Sequence, residues 1–404
     1  MANNNNKDKC NVPHLRFPEF TGEWKMATFG DIAKGFDYGM NAAAKSFDGN
    51  NKYIRITDID EVSSQYLYDD VVSPDGELED RYLVKENDIL LARTGASTGK
   101  SYLYRNSDGK LYFAGFLIRA NIYKHNSYFV FSQLHTLRYK KWISVMSARS
   151  GQPGINSQEY ASFPVYTTSL QEEDKIATFL KLLDERIITQ NKIIEKYESL
   201  IQAIIYQKKT VGIRKGNWQK TELSNVLQER IEKNINGHII CSVSVSKGVV
   251  NQIEYLGRSF AAKETLHYNV VKCGDIVYTK SPTGDFPYGI VKRSYIKDDV
   301  AVSPLYGVYM PVNDYIGVIL HFYFMQPSNV FNYLHPLIQK GAKNTINITN
   351  ERFLKNSIPL PKTENEAIYI ANTLISIQKK IDIEKKMLRS YEKEKQYLLS
   401  KMFI

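Results

Sequence analysis

The sequence has 404 residues, of which 43% are hydrophobic, and its 53 lysines and arginines against 43 acidic residues give a formal net charge of +10. That length favours several domains over one, and that hydrophobic content excludes a wholly disordered chain. No apolar run approaches the roughly 20 residues of a membrane-spanning helix, so no membrane partner is expected. The cysteines are widely spaced without a CxxC pair, which argues against a disulfide framework or a zinc knuckle and favours the cytoplasm: Cys10, Cys241 and Cys273.

The chain begins with a polar segment, residues 1–13, which predicts a flexible tail. Residues 14–165 then alternate short apolar runs, such as DILLAR and LYFAGFLIRANIY, with Gly, Pro, Asn and Asp. This pattern is typical of strands and turns. One amphipathic stretch, Val130 to Trp142, predicts a helix. We therefore expect an α+β domain with a β-rich core.

Charge is unevenly distributed along this first domain. Residues 1–92 hold 10 basic against 17 acidic residues, whereas residues 93–150 hold 10 basic residues against the single acid Asp108. The basic stretch is also rich in aromatic residues: Tyr102, Tyr104, Tyr112, Phe113, Phe116 and Tyr123. A basic, aromatic segment suits a polyanionic partner such as a nucleic acid, although the solvated face of ordinary strands can have the same composition.

A long helix is predicted over residues 166–210. Its seam positions recur in steps of four and three, the heptad spacing of a coiled coil, with one glutamine among apolar side chains: Ile176, Leu180, Leu183, Ile187, Gln190, Ile194, Tyr197, Ile201 and Ile204. A helix that packs only on its own globular domain would show a broader stripe with a period of about 3.6 residues. The strict heptad spacing favours pairing of one helix with another.

The second half of the chain repeats the first at an offset near 194 residues. After a short linker, residues 211–217, Trp218 corresponds to Trp24, and the strand that starts at Asp275 corresponds to the one that starts at Asp88. The seam also recurs, with its polar position in register: Ile370, Leu374, Ile377, Ile381, Glu384, Leu388, Tyr391, Lys395 and Leu398. A period this long indicates two copies of one domain and its helix rather than a solenoid. We therefore predict a second α+β domain over residues 218–361 and a second helix over residues 362–404.

Two short motifs imitate catalytic signatures. Thr94 to Ser101, TGASTGKS, has three residues between its glycines where a phosphate-binding P-loop needs four, and the sequence after it predicts a strand instead of a helix. Ser303 to Tyr306, SPLY, is a weak version of the Pro-Pro-aromatic motif of adenine methyltransferases, and no glycine-rich turn for S-adenosylmethionine accompanies it. The histidines lack metal-ligand spacing. We predict that this chain has no catalytic centre of its own and holds no metal or cofactor.

The two-copy layout and three strings resemble the specificity subunits of type I restriction–modification systems. The strings are DILLARTGASTGK (88–100), GQPGINSQEYASFPV (151–165) and LQEEDKIATFLKLLDERI (170–187). The resemblance implies two target-recognition domains joined by two helices that pair as an antiparallel coiled coil. It implies that each domain reads one half of an asymmetric, bipartite site in double-stranded DNA. It further implies two modification (methyltransferase) subunits and restriction subunits as partners, which would bind S-adenosylmethionine, ATP and Mg²⁺.

Candidate DNA contacts lie in turns at equivalent strand ends. Arg93 and Lys280 each end a strand and precede a small, hydroxyl-rich turn, which suits phosphate contact, although a plain β-turn with a surface cation has the same pattern. Loops before the Pro-containing strands add side chains able to hydrogen-bond to base edges. The predicted DNA-binding set is Arg93, Thr94, Ser97, Thr98, Lys100, Gln152, Asn156, Lys280, Ser281, Thr283, Lys343, Asn344 and Asn347. Because the turns recur in both copies, we expect base choice to lie in the dissimilar stretches, 33–86 and 101–150 against 227–272 and 285–345.

A stand-alone nucleic-acid-binding scaffold that works without methyltransferase subunits is the alternative function. Copurification with a methyltransferase would distinguish the two. Binding of S-adenosylmethionine by the isolated chain would instead indicate a self-sufficient methyltransferase, which the sequence does not predict.

Overall fold

The computed structural model describes residues 11–148, 154–258, 261, 264–340 and 346–404. The chain divides into two compact units. Unit 1 comprises Met1–Lys192 and Lys386–Ile404, and unit 2 comprises Ile193–Lys385. Each unit combines short strands with helices, and this confirms the predicted α+β class.

A four-stranded antiparallel sheet forms the centre of unit 1. In chain order the elements of the first half of the chain are β1 (Lys25–Thr28), β2 (Ala33–Tyr38), β3 (Ala43–Ser46), β4 (Lys52–Ile54), β5 (Val72–Asp75), β6 (Asp88–Ala92), β7 (Ser101–Leu103), β8 (Leu111–Phe113), β9 (Leu117–Ile122), α1 (Ser127–Gln133), α2 (Leu137–Ser147), α3 (Ser157–Ala161), β10 (Pro164–Thr167) and α4 (Leu170–Arg214). The central sheet has the strand order β2-β9-β6-β7. Smaller pairs surround it: β1 with β10, β3 with β5, and β4 parallel to β8.

Strand β6 is buried on both faces. Ile89 and Leu91 point into one core cluster, which also contains Trp24, while Leu90 and Ala92 point into a second cluster. A strand covered on both sides needs apolar side chains at successive positions. This is why the sequence there is the continuous run DILLA rather than an alternating pattern.

Unit 2 repeats this plan with a four-stranded sheet of its own. The elements of the second half of the chain are β11 (Trp218–Glu222), β12 (Leu227–Glu229), β13 (Cys241–Ser244), β14 (Gly248–Asn251), α5 (Gln252–Leu256), β15 (Asn269–Val271), β16 (Ile276–Tyr278), β17 (Val291–Arg293), β18 (Val300–Val302), β19 (Gly307–Pro311), α6 (Asp314–Tyr323), α7 (Pro327–Leu334), β20 (Gln339–Lys340), β21 (Ile346–Asn347), α8 (Asn350–Lys355), β22 (Ser357–Pro361) and α9 (Glu364–Met402). The sheet has the strand order β12-β19-β16-β17. Strands β16 and β19 occupy the places that β6 and β9 hold in unit 1, which agrees with the repeat predicted from the sequence.

Each unit joins its sheet domain to a long helix through the same tryptophan–glutamate hydrogen bond. In unit 1 the indole Nε1 of Trp24 donates to Glu172 Oε1 at 3.3 Å, and in unit 2 that of Trp218 donates to Glu366 Oε1 at 3.1 Å. The partners are 148 residues apart in both cases. The contact is thus repeated at the 194-residue offset on which the two-copy prediction depends.

The predicted heptad seam is buried along both long helices. Every seam position predicted on α4 and α9 is buried or half-buried. Within unit 2 the two helices run in opposite directions, because Glu198 accepts from Lys385 Nζ at 2.6 Å while Lys208, further along α4, lies over the ring of Tyr369, earlier on α9. The predicted antiparallel pairing is therefore confirmed.

The last turns of α9 and the residue that follows it, Phe403, complete the core of unit 1. The ring of Phe403 meets that of Trp24 edge-on, with 6.1 Å between their centroids, and Leu398 is buried in the same cluster. Lys395 forms an ion pair with Asp184 on α4 at 2.6 Å. The predicted domains follow one another along the chain. The boundaries between the compact units instead lie within the two long helices, after Lys192 in α4 and after Lys385 in α9.

Two local predictions need correction. Val130 to Trp142 is not one helix, because α1 ends before Leu134 and α2 begins at Leu137. The Thr136 side chain accepts a hydrogen bond from Tyr139 N at 3.3 Å and so starts a new helix. The predicted linker 211–217 is helical over its first four residues, because α4 continues to Arg214.

Candidate functional site

The predicted phosphate-contacting turn of unit 1 connects strand β6 to strand β7. Backbone hydrogen bonds close its base, from Ala92 N to Lys100 O at 2.8 Å and from Gly99 N to Ala92 O at 3.0 Å. A single 3₁₀ turn covers Gly95–Ser97, and β7 begins directly at Ser101. The segment has strand–turn–strand geometry, as predicted, rather than the strand–loop–helix geometry of a P-loop.

Two buried tyrosines fix the end of this turn. The hydroxyl of Tyr160 donates to Ala92 O at 2.6 Å and accepts from Gly99 N at 3.1 Å, and the hydroxyl of Tyr139 donates to Gly99 O at 3.1 Å. Burial raises the pKa of both phenols, so they remain protonated donors. Gly99 itself has a φ of +92° and packs against Ile143. The turn is therefore held by the core of the unit.

The side chains of the turn are only partly accessible. Thr94, Ser97, Thr98 and Lys100 are all half-buried. The hydroxyl of Thr98 donates to Gly95 O at 2.8 Å and stabilises the turn. Short turns with accessible amides and a nearby cation suit a phosphate oxygen.

Arg93 and Asn156 are brought together beside this turn. The Arg93 guanidinium lies over the ring of Tyr38, 4.8 Å from its centroid, and Arg93 O accepts from Ile155 N at 2.9 Å. The Asn156 side chain accepts from Glu159 N at 2.9 Å and so caps helix α3. These residues line a cavity of about 320 Å³ with Thr94, Met146 and Gly154. Sequence reasoning missed Tyr38, because only the fold brings it next to Arg93.

Lys100 lies in a second cavity of unit 1, of about 470 Å³. Lys140 and Lys395 also line it, while Glu61 lies 3.9 Å from the Lys100 ammonium. Burial and the nearby Lys395 lower the pKa of His135 in its wall to about 4, so this histidine is neutral at pH 7. The cavity is therefore basic through its lysines alone.

The single acid of the basic stretch is removed from the surface. Asp108 is buried, and its carboxylate accepts hydrogen bonds from the hydroxyls of Tyr68 at 2.6 Å and Tyr102 at 2.5 Å. Several cations of the stretch are exposed: Lys110, Lys124, Lys140 and Lys141. Arg119, by contrast, is held by Asp37 and Asp88 at 2.8 and 3.8 Å and is not available to a ligand. The described residues of this stretch thus present a more uniformly positive surface than their composition suggests.

The corresponding turn of unit 2 has a different shape. Lys280 has a φ of +56° and is half-buried, and burial lowers the pKa of its ammonium. Ser281 and Thr283 are exposed, and Thr283 and Phe286 exchange backbone hydrogen bonds at 3.0 Å to close a tight hairpin. The two turns are equivalent in position, but that of unit 2 projects as a hairpin while that of unit 1 is packed.

The remaining predicted DNA contacts are Gln152, Lys343, Asn344 and Asn347. Gln152, Lys343 and Asn344 lie outside the described residues. Asn347 is in strand β21, whose backbone pairs with that of β20.

Lys292 is a buried cation in unit 2 that the sequence did not single out. It lies opposite Val277 in the sheet, and burial lowers its pKa to about 8. Between pH 8 and 10.5 the Lys292 ammonium is protonated in the unfolded chain but not in the folded chain, so the free energy of unfolding rises with pH in this range. Below pH 8 the folded chain carries the full cost of burying the charged ammonium. We expect Lys292→Met to raise the free energy of unfolding of unit 2 by about 3 kcal/mol at pH 7. Urea unfolding at pH 7 and pH 10.5 checks this: the gain should vanish at the higher pH, and an equal gain at both would contradict it.

None of the helices in the described part of the chain combines the length and the apolar character that a membrane span requires.

Three comparisons relate this chain to known proteins. A family model described as the type I restriction modification DNA specificity domain matches residues 21–199. The type I restriction enzyme MjaVIII specificity subunit of Methanocaldococcus jannaschii is 22% identical over 419 residues, which cover 96% of this chain and 92% of that protein.

Two solved structures share the fold. The S subunit of a type I restriction–modification system from M. genitalium aligns with a TM-score of 0.61 at 13% identity, over 97% of this chain and 99% of that one. A structure that describes complex assembly and conformational transition of the type I R-M system aligns with a TM-score of 0.50 at 12% identity, again over 97% and 99%.

Proposed function

Because this chain belongs to the family of DNA specificity subunits of type I restriction–modification systems, we propose that its two sheet domains are separate reading heads, one for each half of a bipartite DNA site. The chain is a DNA sequence-recognition subunit. The observation that carries the proposal is the duplication itself: two units share one sheet plan and one tryptophan–glutamate joint, yet differ in the smaller strand pairs and in the loops that connect them. Heads with different loops should read different bases, so the site should be asymmetric.

The turn at 93–100 and its counterpart at 280–286 are proposed as phosphate contacts. Both follow the central strand of their sheet. The first combines the half-buried cations of Arg93 and Lys100 with half-buried hydroxyls, and the second combines the half-buried Lys280 with the exposed hydroxyls of Ser281 and Thr283. A feature common to heads of different specificity cannot choose the bases, so these turns would position each head on the duplex. Base choice would then fall to the dissimilar loops, where arginine, lysine, asparagine and glutamine can bond to base edges in the major groove.

The two long helices would set the spacing between the heads and carry the partner subunits. Helix α4 has 45 residues and α9 has 39, and they pair along a heptad seam. A paired helix is stiff, so the two half-sites should be separated by a fixed number of base pairs that the protein does not recognise. Two modification subunits would dock on the outer helix faces, and restriction subunits would complete the nuclease. The methyl donor, ATP and Mg²⁺ would be bound by these partners.

Phosphate contact makes a prediction about salt. Each contact releases a counterion, so the logarithm of the DNA affinity should fall steeply with the logarithm of the salt concentration. We expect Arg93→Ala to weaken binding to all duplexes and to reduce this slope by about one. Fluorescence anisotropy with a labelled duplex, at 50 to 300 mM NaCl, measures both quantities.

Arg81→Ala is the matched control, because Arg81 is exposed in unit 1 but lies in the acidic part of the chain and pairs with Glu79 at 2.8 Å. It should leave the slope unchanged. A wild-type slope near zero would remove the proposed phosphate contacts, and equal effects of the two substitutions would remove the special role of the turn.

A further inference from the structure

Each unit exposes a large apolar side chain at the tip of an equivalent turn. Phe116 in unit 1 is 63% exposed, and Leu305 in unit 2 is 70% exposed. Both turns precede the strand that pairs with the central strand of the sheet, β9 in unit 1 and β19 in unit 2. The SPLY string, which only imitates a methyltransferase motif, is the second of these turns.

The turns that carry Phe116 and Leu305 are closed by the same kind of backbone hydrogen bond. The first, Ala114–Leu117, is closed by a hydrogen bond from Leu117 N to Ala114 O at 2.8 Å, and the second, Ser303–Tyr306, by one from Tyr306 N to Ser303 O at 3.0 Å. The exposed apolar residue is the third of four in both. This position usually holds glycine, asparagine, aspartate or serine. A phenylalanine and a leucine at that position expose apolar surface to water, so burial of that surface by a partner would be favourable.

Both tips are held rigidly. In unit 1, Phe116 O accepts from Arg93 N at 3.1 Å, and Gly115 N donates to Met40 O at 2.8 Å. In unit 2, the side-chain amide of Asn269 donates to Pro304 O at 3.4 Å and to Tyr306 O at 2.9 Å. Different hydrogen bonds thus hold the equivalent turn in place in the two units, as expected if the position of the exposed apolar residue matters for function.

The tips lie next to the proposed phosphate contacts. In unit 1 the hydrogen bond between Phe116 and Arg93 makes the two residues direct neighbours. In unit 2, Tyr278 on β16 pairs with Gly307 on β19, which places the strand ends that carry Lys280 and Leu305 side by side. A cation for a phosphate and an apolar side chain therefore lie at one edge of each sheet.

We propose that Phe116 and Leu305 are apolar wedges that insert at a base step of the DNA half-site bound by their own unit. Proteins that bend DNA use phenylalanine and leucine in this way, partly unstacking the step and widening the contact surface. A wedge contacts stacked rings rather than base edges, so it can recur in heads that read different sequences, as a base-specific contact cannot. The inference rests on the proposed function, and it adds a sequence-independent contact to each head.

The test uses the full chain and duplexes that carry its methylated site, as identified by sequencing the methylation of cells that contain this chain and its methyltransferase partner. 2-Aminopurine, whose fluorescence rises when it unstacks, replaces one adenine at a time in each half. We expect wild-type protein to raise the fluorescence at one step in each half. Phe116→Ala should abolish the signal in one half only and weaken binding about tenfold, and Leu305→Ala should do the same in the other half. The salt slope should not change, because no phosphate contact is lost.

Three controls separate a wedge from its alternatives. Phe116→Leu, which installs the residue of the other copy, should keep most of the signal. Met26→Ala in unit 1 and Val312→Ala in unit 2 remove side chains of similar exposure, 66% and 61%, and should have no effect. Wild-type affinity and fluorescence in both alanine variants would overturn the wedge, and so would normal DNA binding with lost copurification of the methyltransferase, which would assign the tips to a protein contact. Failure of the wild-type chain to bind its mapped site would instead overturn the proposed function.

Discussion

Replacement of Glu172 by alanine is expected to lower the free energy of unfolding of unit 1 by about 3–5 kcal/mol. Glu172 is buried, and its carboxylate accepts two hydrogen bonds at 2.7 Å from the guanidinium of Arg16, one at 2.6 Å from Thr168 and one from Trp24. Loss of the carboxylate would leave an arginine charge and two polar hydrogens without their partner at the point where the sheet domain meets α4. Removal of one member of such a pair costs more than the pair contributes.

The repeat supplies a matched control. Glu366 holds the equivalent place in unit 2, but in the described part of the chain its carboxylate accepts only the indole N–H of Trp218. Glu366→Ala should therefore cost only about 1 kcal/mol. Urea unfolding of both variants, followed by hydrogen exchange to assign the loss to one unit, measures the difference. Equal losses would show that the Arg16 ion pair adds nothing to the joint.

The same contact has a pH dependence. Burial opposes ionisation of Glu172, but the hydrogen bonds from Arg16 and Thr168 keep its pKa below the usual value. A carboxylate with a lowered pKa stabilises the fold above its unfolded pKa, near 4.5, and that stabilisation is lost as pH falls through the folded pKa. The cost of Glu172→Ala should accordingly shrink in acid.

The second large effect is expected at the turn of unit 1. Gly99→Ala places a side chain on a residue with a φ of +92°, and its Cβ would lie 2.9 Å from the side chain of Ile143. The left-handed backbone costs about 1–2 kcal/mol for alanine, and the crowding against Ile143 about 1–3 more. Because the turn must shift to relieve that contact, DNA affinity should fall along with stability.

Gly95→Ala is the control, because Gly95 also has a positive φ, +71°, but its Cβ would meet no atom of the described residues within 4 Å. This variant should lose about 1 kcal/mol and keep most of its DNA affinity. Thermal unfolding and DNA titration of both variants give the comparison. If Gly99→Ala and Gly95→Ala lose the same amount of stability and of DNA affinity, the packed geometry of the turn has no part in DNA binding.

The repeat and the helix seam could be predicted from the sequence because both are periodic signals. Trp24 and Trp218 are separated by the offset of the repeat, and Gln190 and Glu384 fall at the same heptad position. The spacing of residues along the chain is therefore enough to predict both features. Strand β6 was also predicted, since its apolar run is bounded by turn residues.

Contacts between distant segments could not be predicted in this way. Nothing in the local sequence places Tyr38 under Arg93, the end of α9 in the core of unit 1, or Asp108 beneath two tyrosine hydroxyls. Each depends on the tertiary fold. The break at Thr136 was missed for a different reason, because a side-chain cap ended one helix and began another within a continuous amphipathic pattern.

Exchange of one sheet domain tests most clearly whether each domain recognises one half of the DNA site. Residues 25–165 are replaced by those of a specificity subunit with a known, different site, which leaves Arg16 and Trp24 in place at the joint with α4. Methylation sequencing of cells that carry the hybrid and its methyltransferase partner gives the new motif. If each sheet domain reads one half-site, one half of the motif will change while the other half and the gap stay the same. A motif altered in both halves, or in neither, would show that the two domains do not read separate half-sites.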